Sequence, residues 1–430
     1  MQIIVVGAGI GGLSAALALS LSGHTITILE SSPALAEVGA GVQLTPNATK
    51  AFWKWGLGPS ILEHAVLPSS FNIRDLETGK LIRGVEFEGF MERYGGPYVV
   101  VHRADIHRIL YGACVKAGVR IELGRKVVTY DVEGGRVRVE DGREMSAELV
   151  VACDGIHSFA RRTLNPSLKY NSNGLEKSGW AAYRKIVPVA ALKSNPLTKF
   201  LTEDYEGNCW VGENKLVMTY LVKGASLLNI VLSHPDDVDT TEWSPERYDI
   251  EIREFYKEAE PRLKAVIELS NPGAQNWPVE QVKNLPRWKS ESGRFVLMGD
   301  VVHAMPFYLS MGVSMAVEDA ETLAECIALK KLTTSSLEKA MAVFEGVRKP
   351  RAEAVRDASL HAGDVLQMRK GPEREVRDRA IRDDGVAVGV EEEEGDDFYV
   401  TRTSYGIADR KIRDWCYGYN VAEEVLKQWF

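Results

Sequence analysis

Apolar positions along the chain change period three times, and each change predicts an element. Gln2–Val6 and Thr25–Leu29 are short, nearly unbroken apolar runs, as expected of strands covered on both faces. A longer apolar, helix-like segment lies between them. Ala104–Ala117 places Ile106, Ile109, Leu110 and Ala113 on one helical face. Lys126–Asp131 and Arg136–Glu140 read as strands joined at Glu133-Gly134-Gly135, and Glu144–Ala152 reads as a third strand. Residues 166–275 hold the strand-like runs Ala181–Val187, Leu216–Val222 and Leu227–Ser233 between polar loops, then a helical stretch, Glu246–Leu269. Phe295–Met298 returns to a buried strand pattern. A helix with Met315, Ala316, Ala320, Leu323 and Ala324 follows, and Leu337–Leu366 continues helical. Residues 369–397 are highly charged, with Glu391–Glu394 near their end, and predict a solvated loop or linker. The tail Ile407–Phe430 is amphipathic, with Trp415, Tyr417 and Trp429. It is expected to dock back on the body or to form a homodimer contact. The pattern predicts an α/β chain with a sheet inserted between nucleotide-binding segments.

The turn after the first strand carries chemistry. Gly7-Ala8-Gly9-Ile10-Gly11-Gly12 lies between that strand and the helix, and Glu30 ends the second strand. Gly7 permits a tight turn, Gly9 lets backbone approach a pyrophosphate, and Gly12 lets helix and strand pack closely. The helix N-terminus offers free N–H groups and roughly half a positive charge to phosphates. Glu30 is placed to accept hydrogen bonds from ribose hydroxyls. The order predicts a site for the ADP half of a dinucleotide.

A presequence or membrane helix over residues 2–22 is the competing reading. No basic residue precedes that stretch, and four glycines interrupt it. The expectation is a soluble chain without a removable presequence. A formal charge of −8 argues against a nucleic-acid partner. Cys114, Cys153, Cys209, Cys326 and Cys416 are scattered and form no CxxC. This fits free thiols in a reducing, cytoplasmic setting and speaks against a disulfide scaffold or zinc site. No His pairing has metal-ligand spacing.

The motifs Gly7-x-Gly9-x-x-Gly12, Asp154-Gly155 and Gly299-Asp300, in that order, resemble the single-component FAD-dependent aromatic hydroxylases of the p-hydroxybenzoate-hydroxylase type. More closely, they resemble the salicylate-hydroxylase-like fungal branch of that family. The tail residues Tyr405-Gly406, Asp414-Trp415 and Tyr417-Gly418-Tyr419 are similar to that branch too. The resemblance implies a Rossmann-like FAD-binding domain from residues 1–70, 100–165 and 276–365. It also implies an inserted, mostly antiparallel β-sheet substrate domain from 71–99 and 166–275, and a charged linker with a helical C-terminal tail over 366–430.

The resemblance also implies roles. Glu30 would bind the adenosine ribose, and Gly41 and Val42 of Gly39–Asn47 would lie along the flavin. Arg103 would contact the polar spine of FAD, and Asp300 the ribityl chain. Gly312 and Val313 would pass the flavin ring at a helix N-terminus. Asp154-Gly155 would sit near the pyrophosphate and bear on NAD(P)H use. Arg184 would stabilise a substrate phenolate, with a structural ion pair as the alternative. Tyr220 would contact substrate, with core packing as the alternative. His303 is expected to be a structural hydrogen-bonding residue. Where relatives carry Gly-Asp-Ala-Ala-His, Pro-Pro and Gln-Gly-Ala-Asn, this chain has Val301-Val302-His303, Pro306-Phe307 and Met311-Gly312-Val313-Ser314. These bulkier, less polar residues are expected to reshape the oxygen or substrate pocket, and Ser314 to alter a hydrogen bond near the cofactor.

With one Gly-rich fingerprint, the chain is expected to keep FAD and to meet NADPH or NADH transiently. The family chemistry would be reduction of FAD, addition of O2 at flavin C4a, and transfer of the distal oxygen to an electron-rich carbon of an aromatic substrate. Three readings stay open beside it: epoxidation or rearrangement of an indole or prenylated aromatic, a flavin oxidase or reductase without oxygen insertion, and a non-catalytic FAD-bearing module.

Overall fold

A computed structural model of the protein describes residues 1–35, 41–168, 174–270, 272–382 and 405–430. At its centre is a five-stranded parallel sheet. Gln2–Val6 lies between Leu149–Ala152 and Thr25–Leu29, with Phe295–Leu297 and Arg120–Glu122 on the outside. Ile3–Val6, Leu149–Ala152 and Phe295–Leu297 are wholly buried, which is why they lack an alternating pattern. Helix Ile10–Leu21 packs between helices Gly312–Leu332 and Arg103–Lys116 on this sheet. The strand ends, the Gly-rich turn and two helix N-termini therefore converge on one edge.

The expected strand Glu144–Ala152 is two strands in two sheets. Glu144–Ser146 closes a three-stranded antiparallel ribbon with Arg136–Val139 and Val127–Asp131. Leu149–Ala152 then enters the parallel sheet. The burial pattern switches from alternating to continuous between them, which marks the transfer.

A seven-stranded sheet holds, in order, Gln275–Val282, Leu175–Pro188, Leu227–Pro235, Lys215–Val222, Gly207–Gly212, Ser70–Asp75 and Leu81–Glu86. All its pairings are antiparallel except Gly207–Gly212 with Ser70–Asp75. The outer strand Gln275–Val282 falls across the expected boundary at 275, so the chain leaves this sheet only after Val282. One face packs Val217, Leu221, Ile230 and Leu232 against helices Pro245–Phe255 and Pro261–Leu269. The other turns Arg184, Met218, Tyr220 and Val231 towards the parallel sheet. The expected single helix Glu246–Leu269 is broken because Pro261 cannot continue a helix but suits the first turn of a new one.

The charged stretch is also partly ordered. Pro372–Arg382 is a helix rather than a loop, and it buries Arg374, Arg377, Ala380 and Ile381. The Arg377 guanidinium donates to the carbonyls of Val365 and Leu366, both at 2.9 Å. Charge concealed this helix, because its buried arginines do part of the work of apolar residues. Glu391–Glu394 lie outside the described residues. Helices Arg410–Tyr417 and Val421–Trp429 pack back on the body, the second against Gly312–Leu332 and Leu337–Leu366. Among the described residues, no helix is long and apolar enough to cross a membrane.

Candidate active site

One cavity of about 380 Å³ lies between the two large sheets. Gly9, Ile10, Gly11 and Gly12 of the Gly-rich turn form one end, and Arg184, Met218, Tyr220 and Val231 form the other. Gly41, Val42, Arg103, Asp300, Gly312 and Val313 line the length between them. Residues from the three separated motifs, with Gly41, Val42 and Arg103, thus meet in one space. Gly39 and Ala40 lie outside the described residues.

The Gly-rich turn is fixed by close contacts. Gly7 has φ +102°, and a Cβ there would sit 2.4 Å from the carbonyl oxygen of Cys153. At Gly12 it would sit 2.0 Å from the Gly7 carbonyl oxygen. Gly9 differs. It has ordinary extended backbone, φ −69° and ψ 177°, and nothing lies within 4 Å of where a Cβ would point. Gly7 and Gly12 are glycines for the protein's own packing, whereas Gly9 faces open space.

Two helix N-termini reach this cavity. Ile10–Leu21 and Gly312–Leu332 begin without a side-chain cap and without an acid in the first turn. Their first amides are left for a ligand, with a partial positive charge behind them. Arg103 and Asp300 are exposed onto the same space. Neither makes a hydrogen bond or ion pair to the described residues. The Asp300 carboxylate, expected from the resemblance to meet a ribityl chain, is open to the cavity. Glu30 sits behind the turn, accepting from Ala8 N–H at 2.7 Å and Ser32 N–H at 2.8 Å. Asp154 is engaged locally. Its carboxylate accepts from Ser158 Oγ at 2.5 Å and from the amides of Phe159 and Ala160 at 3.0 and 3.2 Å. Its neighbours Cys153 and Gly155 line the cavity, and Asp154 itself does not.

At the sheet end, Arg184 stacks its guanidinium 5.4 Å from the Trp277 ring centroid and makes no ion pair with the described residues. Burial lowers its pKa, Tyr220 opposes that shift, and the Arg103 guanidinium adds to it. Tyr220 donates its hydroxyl to the Gly41 carbonyl at 3.0 Å. Burial pushes its pKa up to about 12, against the opposing pull of Arg184 and Gln43. A Cβ on Gly41 would lie 2.4 Å from the Tyr220 ring, so Gly41 is what lets that ring lie flat beside the strand.

Several residues that hold the site were not singled out from the sequence. His107, one helical turn after Arg103, donates Nε2–H to the Ala8 carbonyl at 2.7 Å and pins the Gly-rich turn. Gln43 lines the cavity, accepts from the Tyr98 hydroxyl, and donates to Met218 Sδ at 2.9 Å. Behind the cavity is a buried charged network. Asp319 accepts from Gly299 N–H at 2.8 Å, His303 Nε2 at 2.6 Å and Arg348 Nε at 2.7 Å. Glu318 accepts from Arg348 at 2.6 Å, Arg351 at 3.0 Å and Asn47 at 2.6 Å. His303 is thus held by a carboxylate away from the cavity, in a structural position. Ser314 is also drawn inward. It is fully buried and accepts from Thr45 Oγ1 at 2.6 Å, rather than facing the cavity. Of the departures Val301, Val302, Phe307, Met311 and Ser314, only Phe307 lines the cavity.

These features fit FAD. A pyrophosphate needs close backbone at Gly9 and free amides at a helix start. Ribityl hydroxyls need an open acceptor such as Asp300, and an anionic spine needs an unpaired cation such as Arg103.

Comparison with known proteins identifies the family. Residues 1–359 match the family described as "FAD binding domain". The chain is 31% identical to FAD-dependent monooxygenase OpS4 of Beauveria bassiana (strain ARSEF 2860) over 384 residues, 89% of each protein. It is 32% identical to 3-hydroxybenzoate 6-hydroxylase 1 of Aquipseudomonas alcaligenes, covering 88% of this chain and 93% of the relative. The fold matches a salicylate hydroxylase substrate complex with a TM-score of 0.75 at 22% identity, covering 100% of this chain and 98% of that one.

Proposed function

This chain belongs to the FAD-binding-domain family and is an FAD-dependent monooxygenase; from that premise we propose that it hydroxylates an aromatic, phenolic small molecule with NAD(P)H and O2. The observation that carries the substrate assignment is Arg184, an unpaired cation at the sheet end of the cavity, amid the apolar walls of Val42, Met218, Val231 and Phe307. The named relatives that act on hydroxybenzoates support the same class.

When bound, the flavin supplies hydride acceptance from NAD(P)H and activation of dioxygen. The chain's residues do the rest. Gly9 and the amides at Ile10–Gly12 would hold the pyrophosphate, Glu30 the adenosine ribose, Arg103 the anionic spine and Asp300 the ribityl hydroxyls. Gly312 and Val313 present an uncapped helix N-terminus that would stabilise negative charge on a bound flavin ring. Asp154 acts through the corner it caps, leaving Gly155 free to approach the cofactor. Arg184 stabilises an ionised phenol, which enriches the ring carbon that receives oxygen. Tyr220 holds its proton at neutral pH and keeps its hydroxyl on Gly41. It therefore walls and orients the substrate and does not act as a base. Arg184 is exposed to the cavity, so its interaction would strengthen as bound cofactor and substrate displace water from between these apolar walls.

The test is NAD(P)H oxidation against a panel of phenols and indoles under labelled dioxygen, with parent and Arg184→Ala. The parent should yield a hydroxylated phenol carrying one labelled oxygen atom. Arg184→Ala should keep its FAD and lose roughly a hundredfold to a thousandfold of substrate-stimulated turnover, the scale of removing one charge-stabilising donor. Peroxide as the sole oxygen product of the parent would refute the assignment. Loss of FAD from Arg184→Ala would remove Arg184 from the substrate end.

A further inference from the structure

Among the described residues, the Arg184 guanidinium has neither a hydrogen bond nor an ion pair. What it meets is the Trp277 indole, 5.4 Å from the ring centroid. Trp277 lies on Gln275–Val282, the outer strand of the seven-stranded sheet, and is 46% exposed. It does not itself line the cavity, whereas Arg184 does. A half-open indole gains only part of the stabilisation of full burial, so packing alone is a weak reason for tryptophan on this outer strand.

The local sequence fixes this contact. Trp277 pairs with Ala182, and Gln275 pairs with Arg184. Trp277 and Arg184 are therefore diagonal neighbours on one face, a separation that aromatic and long side chains span. Ala182 carries only a methyl group between them, which leaves room for the indole to lean across. Pro278 follows Trp277 and holds its backbone extended, and an outer strand tolerates that proline. The pairing shifts between Lys177 and Ala181, where Gly179 holds φ +85°, and such irregularities re-aim side chains. The other titratable groups that act on Arg184 do not hold it. The Tyr220 hydroxyl is taken by the Gly41 carbonyl, and Arg103 repels.

We propose that Trp277 is a positioning residue, whose indole holds the Arg184 guanidinium at the substrate end of the cavity without neutralising it. A carboxylate partner would fix the cation too, but would cancel the charge that a phenolate needs. A ring face attracts the cation through its quadrupole and leaves the guanidinium N–H groups free to donate. A guanidinium already held in place also loses less rotamer freedom when substrate binds. The inference rests on the reading of Arg184 as the phenolate partner.

The probes are the three mononitrophenols, each offered to the FAD-loaded protein at a pH below its free pKa. Difference absorption then gives the ratio of bound phenolate to bound phenol. The parent should enrich the phenolate over the free probe, and Arg184→Ala should lose that enrichment. Trp277→Leu should lower the ratio roughly twofold to tenfold, the scale of immobilising one long side chain on binding. Trp277→Phe keeps a ring face and should lose less. FAD content, and affinity for the matching nitroanisoles, which cannot ionise, should stay at the parental value in both Trp277 variants. A parental ratio in Trp277→Leu, or equal losses for nitrophenols and nitroanisoles, overturns the proposal. Loss of FAD from both Trp277 variants marks a merely structural role and overturns it too. If Arg184→Ala keeps the parental ratio, the phenolate reading of Arg184 fails instead, whatever Trp277→Leu does.

Discussion

Arg348→Met should destabilise the protein by about 3–5 kcal/mol and lower its melting temperature by on the order of 10 °C. Arg348 is fully buried with Glu318 and Asp319, and it bonds both carboxylates. Methionine replaces its bulk but not its charge or its donors. Glu318 keeps Arg351, while Asp319 Oδ1 loses the Arg348 contact and one charge stays uncompensated. The damage should reach the cofactor, because Asp319 also holds the Gly299 amide just before Asp300, and Glu318 holds Asn47 just after the strand of Gly41 and Val42. Adding Asp319→Asn to Arg348→Met should recover part of the loss, since it removes the stranded charge.

The same network sets an acid limit. Its arginines hold Glu318 at about 2, well below an ordinary 4.5, in spite of burial. His303 and Arg348 likewise hold Asp319 far below an ordinary 3.8. A carboxylate with a depressed folded-state pKa contributes stability above its unfolded value and loses it as pH falls towards the folded one. The parent should therefore lose stability between pH 4.5 and about 2, and Arg348→Met should show a shallower loss there. Thermal melts across that range check both points. A parental melting temperature in Arg348→Met at pH 7 would contradict the network's role.

The second large effect is a contrast between neighbouring glycines. Gly12→Ala forces a methyl group to within 2.0 Å of a backbone oxygen, so the helix start must move and folding stability should fall by about 1–3 kcal/mol or more. Gly9→Ala adds its methyl to open space on ordinary backbone, so stability should stay within about 0.5 kcal/mol. That methyl occupies the approach of the pyrophosphate, and FAD affinity should fall at least roughly tenfold, about 1.4 kcal/mol. Melting of the FAD-free forms and FAD titration separate the two. Equal FAD affinity in Gly9→Ala and parent would place the cofactor elsewhere.

The cavity was readable from sequence where backbone chemistry demands a residue type. Gly12 is fixed by a contact within the turn itself and Gly7 by its positive φ, and Arg103 and Asp300 follow elements whose boundaries the apolar pattern marks. What stayed hidden depended on distance in sequence. Glu318 and Asp319 interrupt an apolar helix face, and such acids need cations, but nothing local names Arg348 and Arg351 as their partners. Ser314 lies in the flavin motif, yet Thr45 turns it inward, a contact only the assembled fold supplies. Asp154 was visible as an acid after a strand, but its use as a cap for the next helix depended on the turn geometry at Gly155. Glu144–Ala152 reads as one strand because alternation and continuity abut without a proline or glycine between them. Helix Pro372–Arg382 was masked by charge, because arginine stems pack as apolar matter while their heads bond carbonyls.

The central claim is that three distant motifs close around one flavin, and its most direct measurement is FAD binding by the purified chain. Released-flavin analysis and titration should give one FAD per chain and the absorption of a yellow protein. A colourless chain that takes up no added FAD would contradict the account.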